Sequence, residues 1–186
     1  MREGKNKTMN HQLNFQEERP DFLSYALDVL ENRHPISLAL DGVEDERNFG
    51  SIFRLADATR LKHVYTFAHI NQNEKNLLKK VARAADKYVP HTQLRQWEAL
   101  RELHPQAQIV ALEVTTQSIP IWDFILQGEV ILVVGNEKNG INPDHLQSAD
   151  CCIHIPMYGI NTSMNVAMAT GIAVYELLRQ LERPKL

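Results

Sequence analysis

Three short stretches of this chain carry side chains that could do chemistry. The first is Asn48-Phe-Gly-Ser-Ile-Phe-Arg54, where a guanidinium stands among Ile52, Phe53 and Leu55. Read on its own, such an arginine is a surface cation on an amphipathic helix, yet its apolar neighbours make its place there a puzzle. The second is Gly135-Asn-Glu-Lys-Asn-Gly140, which sets the Glu137 carboxylate just after an apolar run. A carboxylate just after a buried strand is a candidate cap for the short helix that follows. The third is the segment 155–165, whose end carries Asn161, Thr162, Ser163 and Asn165, interrupted by Met164. Helix capping accounts for one or two of these short polar groups. Capping leaves the others without an account.

Other chemistries fail on their own requirements. Gly135 and Gly140 have the spacing of a phosphate-binding P-loop, but Ile141 and Asn142 stand where Lys and Ser or Thr are needed. There is no GxGxxG for a dinucleotide. Ser163 lies in NTSMN, not in the GxSxG of a hydrolase elbow. The eight histidines show no metal-ligand spacing, and no metal is expected. Cys151 and Cys152 are adjacent and form no CxxC pair. They read as two small apolar residues on a strand, in a protein of a reducing cytoplasm.

The elements that must position these loops follow from periodicity. Helical spacing predicts helices over 22–30, 48–59 and 73–85, a short one over 143–148, and a final one over about 163–181. Asn48 is the expected cap of the second and Thr162 or Asn161 of the last, while Gly50 permits close backbone approach. Thr92 is expected to cap a helix ending at Leu103, after an extended piece over 88–90. Strands are predicted over 35–41, 63–68, 108–113, 130–134 and 152–155. Strands alternating with helices predict an α/β fold, a mainly parallel sheet with helices on both faces. Ligands in such folds sit beyond the C-terminal strand ends, which is where the three stretches fall.

A length of 186 residues predicts one domain, here 21–186 behind a loose polar lead-in over 1–20. The net charge of −3 excludes a generally basic nucleic-acid binder. Cations do cluster between Arg60 and Lys87, as Arg60, Lys62, Lys75, Lys79, Lys80, Arg83 and Lys87. This is either a solvated helix face or a patch that neutralises phosphates. The longest apolar run, 130–134, is far short of a membrane span.

Together and in this order, NFGSIFR, VVGNEKNGI and IPMYGINTSMNVA resemble the three motifs of the SpoU/TrmH group of SPOUT RNA methyltransferases. Met164 stands where Leu is more usual, a change that keeps volume and apolarity. The resemblance implies a sheet whose C-terminal segment threads into a deep trefoil knot. The small residues Ala167, Ala169, Gly171 and Ala173 suit a helix packed at close quarters there. It implies S-adenosylmethionine bound by Leu112, Glu113, Gly135, Asn136, Ile155, Met157, Ile160 and Met164. The methyl group would pass to a ribose 2′-hydroxyl of transfer or ribosomal RNA, with transfer RNA preferred as the more compact substrate.

By the same resemblance Arg54 is essential, as base or as phosphate and alkoxide anchor. Asn48 and Glu137 would orient it and shape the pocket, while Ser163 and Asn165 would position it and the ribose. The family is homodimeric, with RNA across both subunits. Arg60, Lys62, Lys79, Lys80 and Arg83 then become a phosphate track, and methylation should weaken steeply with salt. Two readings compete: a non-catalytic RNA-binding or assembly module on this fold, and a knotted enzyme that methylates a base. The complete polar set weighs against the first, and Arg54 with the Ser-x-Asn pattern weighs against the second.

Overall fold

The structure is a computed structural model that describes residues 21–67 and 88–182. The chain divides into two compact units, Met1–Asn32 and Arg33–Leu186. In the first, helix α1 (Phe22–Glu31) begins where the Asp21 carboxylate accepts the Ser24 N–H at 3.2 Å.

The second unit is built on seven strands: β1 (His34–Asp41), β2 (Leu61–Phe67), β3 (His91–Leu94), β4 (Gln108–Leu112), β5 (Ile119–Pro120), β6 (Val130–Gly135) and β7 (Cys151–His154). Their order is β3-β2-β1-β6-β4-β7-β5, and every pairing is parallel. The two central strands, β1 and β6, are covered on both faces, which explains their near-continuous Ile, Leu and Val runs.

Alternation sorts these side chains into two layers. On one face Ile36, Leu38 and Leu40 of β1 join Val130, Leu132 and Val134 of β6. They meet Phe49, Ile52 and Phe53 of α2 (Glu46–Ala58) and Ala173, Val174 and Leu177 of α5 (Val166–Glu182). On the other face Ala39, Ile131, Val133, Ile109 and Ala111 pack with Trp97, Ile141 and Leu100 of α3 (Glu98–Leu103). A short α4 (Pro143–Ser148) follows β6. The chain leaves β1 in one direction through β2 and β3, and the later strands fill the other side. That reversal opens a crevice at the C-terminal ends of β1 and β6, where α/β folds bind ligands.

Several expected boundaries move, each for a local reason. Helix α2 begins two residues early, because Asp45 is its cap: its carboxylate accepts the Arg47 N–H at 2.8 Å. Asn48 is therefore not a cap but an inward-facing residue of the first turn. Thr92 caps nothing; it lies in β3, and its hydroxyl meets His63 Nε2 at 2.9 Å. Helix α3 starts later, at Glu98, and residues 88–90 form a turn rather than an extended piece. Helix α5 begins at Val166, capped by Asn165 and not by Thr162 or Asn161. A Cβ at Gly50 or Gly171 would meet nothing within 4 Å, so neither glycine marks a close approach among the described residues. The expected helix over 73–85 lies outside the described residues. Among the described residues no helix is long and apolar enough to cross a membrane.

Candidate active site

The crevice is a cleft of about 480 Å³. Its floor is made by the strand ends: Leu112 and Glu113 at the end of β4, Val134 and Gly135 of β6, His154 and Ile155 at the end of β7. Met157, Thr162, Ser163, Met164 and Asn165 close one side, and Asn136, Glu137 and Lys138 the other. Of the residues expected to hold the methyl donor, Leu112, Glu113, Gly135, Asn136, Ile155, Met157 and Met164 all line it. Ile160 does not; it is 100% exposed.

The loop after β6 owes its shape to two glycines. Asn136 and Gly140 exchange backbone hydrogen bonds at 2.9 Å in both directions, folding 136–140 back on itself. That fold brings Gly140 and Ile141 over Gly135, where a Cβ would meet their backbone atoms at 2.3 Å. Only glycine fits there. Gly140 takes a left-handed φ of +69°, and a Cβ on it would meet Glu113 Oε2 at 2.5 Å. Glu113 itself accepts the N–H groups of Ile141 (3.2 Å) and Val114 (3.0 Å), tying the end of β4 to the loop.

The loop's far end is pinned by residues that sequence patterns did not single out. Asp41, buried at the end of β1, accepts the Asn142 N–H at 2.8 Å and lies 3.0 Å from His145 Nδ1. The His145 ring stacks on Trp97, centroids 4.3 Å apart and 8° from parallel. A buried carboxylate at the C-terminal end of a central strand was the available signal, but nothing in the sequence names its partners.

One chain of hydrogen bonds joins the three motifs. Asn48 Nδ2 donates to Glu137 Oε1 at 2.7 Å. Asn165 Nδ2 donates to Asn48 Oδ1 at 2.8 Å. Asn165 Oδ1 accepts the N–H groups of Ala167 (3.0 Å) and Met168 (3.2 Å) in the first turn of α5. A carboxylate only accepts and a helix N-terminus only donates, so both amides between them are forced into one orientation. Burial pushes the Glu137 carboxyl up, but Asn48 and the N–H groups of Glu44 and Asp45, each at 3.3 Å, more than offset it. The net result holds Glu137 below the usual carboxylate range, and it stays charged.

The remaining expected residues are placed differently. Ser163 lines the cleft and is exposed. Arg54 is on the exposed face of α2, lines neither this cleft nor the hollow beside it, and makes no hydrogen bond or ion pair among the described residues. Arg60 and Lys62 lie at the opposite end of the sheet, where β2 begins. Arg60 is half-buried in a left-handed turn (φ 49°), and Lys62 is ion-paired to Glu129 at 2.7 Å. Lys79, Lys80 and Arg83 are outside the described residues. Cys151 and Cys152 are half-buried on β7, and burial pushes both thiols up. Among the described residues no three His, Cys, Asp or Glu side chains group as metal ligands.

A glycine-shaped loop, a polar bridge and a cleft at the strand reversal define a ligand-binding α/β domain, and comparison with known proteins gives its family. Residues 35–175 match the SpoU rRNA Methylase family, and the chain belongs to it. A tRNA (guanosine(18)-2′-O)-methyltransferase of Aquifex aeolicus is 33% identical over 158 residues, covering 83% of this chain and 74% of that one. A 23S rRNA (guanosine-2′-O-)-methyltransferase RlmB of Blochmanniella floridana is 29% identical, covering 86% of this chain and 63% of that one. The crystal structure of the A. aeolicus TrmH/SpoU tRNA modifying enzyme has a TM-score of 0.72 at 31% identity, over 88% of this chain and 87% of that one. The fold is shared too by an AdoMet-bound rRNA methyltransferase from Sinorhizobium meliloti, with a TM-score of 0.71 at 24% identity, over 85% of this chain and 61% of that one. The expected α/β class with its parallel sheet, and the expected family, both stand.

Proposed function

We propose that this protein transfers the methyl group of S-adenosylmethionine to a ribose 2′-hydroxyl of RNA. The observation that carries the reading is the bridge Glu137–Asn48–Asn165, which locks all three motifs around the mouth of the cleft. The cleft suits the donor: apolar side chains of Leu112, Ile155 and Met164 offer faces for an adenine, and backbone groups at the strand ends offer hydrogen bonds at its edge. When bound, the donor supplies an electrophilic methyl group on a sulfonium, so the chain need only align the attacking oxygen and handle its proton. Ser163 and Asn165 stand at the mouth to hold the ribose. Arg54, exposed and unpartnered among the described residues, is available to hold the adjacent phosphate or stabilise the forming alkoxide.

Transfer RNA is the preferred substrate class in this reading. The relative named for tRNA is matched over a larger share of its length than the relative named for 23S rRNA. The reading includes a homodimer, a C-terminal trefoil knot within a single catalytic domain over 21–186, and a cytoplasmic location. Lys79, Lys80 and Arg83 are retained as phosphate contacts; Arg60 and Lys62, at the other end of the sheet, are weaker candidates.

The test is to mix the purified protein with tritiated S-adenosylmethionine and, separately, bulk transfer RNA and ribosomal RNA from cells lacking the gene. Label in the transfer RNA, recovered as a 2′-O-methylnucleoside, is expected. Label on a base atom, or in neither pool, contradicts the reading.

A further inference from the structure

A second hollow, of about 540 Å³, adjoins the cleft and shares Asn165 with it. Its other walls are Asp45, Arg47, Asn48, Ser51, Ala167 and Met168. We propose that this hollow receives the base of the nucleotide being methylated, stacked between the guanidinium plane of Arg47 and the side chain of Met168. The proposal rests on the methyltransferase reading above and names the part of the substrate that the second hollow takes.

The chemistry of the substrate fixes the placement. The carbon that bears the 2′-hydroxyl is bonded to the carbon that bears the base. A ribose held at Asn165 beside the donor cleft therefore puts its base within one sugar ring of that point. The adjoining hollow shares that residue.

The walls are of the right kind. The Arg47 side chain is 90% exposed and Met168 is 63% exposed, so neither serves the core. Arg47 is nevertheless held. Its Nε and one terminal nitrogen reach the two Asp45 oxygens at 3.2 and 2.8 Å. Two parallel contacts fix the plane of a guanidinium, where one would fix only its position. Asp45 is itself fixed by capping α2. Splayed-out RNA bases stack on aromatic rings or on arginine planes. Met168 supplies a polarizable apolar wall to the same hollow. Arg47 and Met168 thus contact the base, and Asp45 is a positioning residue.

Steady-state methyl transfer to RNA, beside calorimetry of donor binding and a melting curve, tests this. Met168→Ala and Arg47→Ala should each raise the KM for RNA about tenfold, the scale of one lost base stack. Donor affinity and melting temperature should hold. Arg47→Lys keeps the charge without the plane and should stay impaired. Full recovery with lysine overturns the stacking and marks Arg47 as a phosphate contact. Asp45→Asn preserves a good helix cap and should raise KM more than it lowers kcat. An active wild type with unchanged KM in both alanine variants overturns the base pocket and leaves the transferase reading intact. A wild type that labels no RNA removes both.

Discussion

A Cβ on Gly135 would meet two backbone atoms at 2.3 Å, whereas a Cβ on Gly50 would meet nothing within 4 Å. The two glycines stand for two regions. Around Gly135 the chain satisfies itself: Asn136, Glu113, Asp41 and Glu137 all bond to backbone groups of neighbouring loops. Around Gly50, on the exposed face of α2, Arg54 has no partner among the described residues. Gly50 has open space around it, and Arg54, four residues further along the helix, is exposed and unpaired among the described residues. The loop is held by contacts within the chain, whereas Arg54 on the helix face is held by none among the described residues.

Gly135→Ala should break the first region outright. Its methyl group has only backbone to displace, and the cost should be about 3 kcal/mol or more. A fall of that size is read from chemical denaturation; a loss under about 1 kcal/mol would mean that the loop is adaptable. Asn48→Ala comes next. It leaves the Glu137 carboxylate and the Asn165 amide short of a partner and should cost about 1–3 kcal/mol.

The same variant has a pH signature. Glu137 is held below its unfolded range, so its contribution is present above the unfolded pKa and is lost as pH falls through the folded one. Asn48→Ala should flatten that acid limb. A second limb belongs to the far end of the sheet. Burial, with His104, His91, Arg33 and Lys62 nearby, depresses His63 to about 4. The unfolded chain then binds a proton that the folded one refuses, so stability should decline as pH falls from 6.5 toward 4. His63→Gln should remove that decline and leave the Glu137 limb in place. Gly50→Ala has the smallest expected effect and the opposite sign. With open space around it, alanine should stabilise α2 by about 0.5–1 kcal/mol. If RNA does approach that face, the same methyl group should raise the KM for RNA.

The legible parts of the molecule were those governed by local periodicity. β1 and β6 were visible as buried apolar runs, and α4 matched from end to end. The misplacements share one cause: several short polar residues compete for a cap, and a distant partner decides among them. Asn48 looked like a cap because Glu137, 89 residues away, is invisible to any local window. Asn165 does two things at once: its side-chain oxygen caps α5 while its amide nitrogen reaches Asn48. Thr92 has the residue type of a helix cap, and its edge pairing with β2 is a long-range event that no local window shows. β5, of two residues, is too short to show a period. The motifs named most of the residues that line the cleft; the bridge between them, and the contacts of Asp41 and Asp45, required the fold.

The most direct test of the account is Arg54→Ala, measured for donor binding, melting temperature and methyl transfer on the same preparation. The account predicts unchanged donor affinity, stability within about 0.5 kcal/mol of the wild type, and transfer to RNA abolished. Transfer at the wild-type rate would contradict it, because the open face of α2 would then have no part in the chemistry.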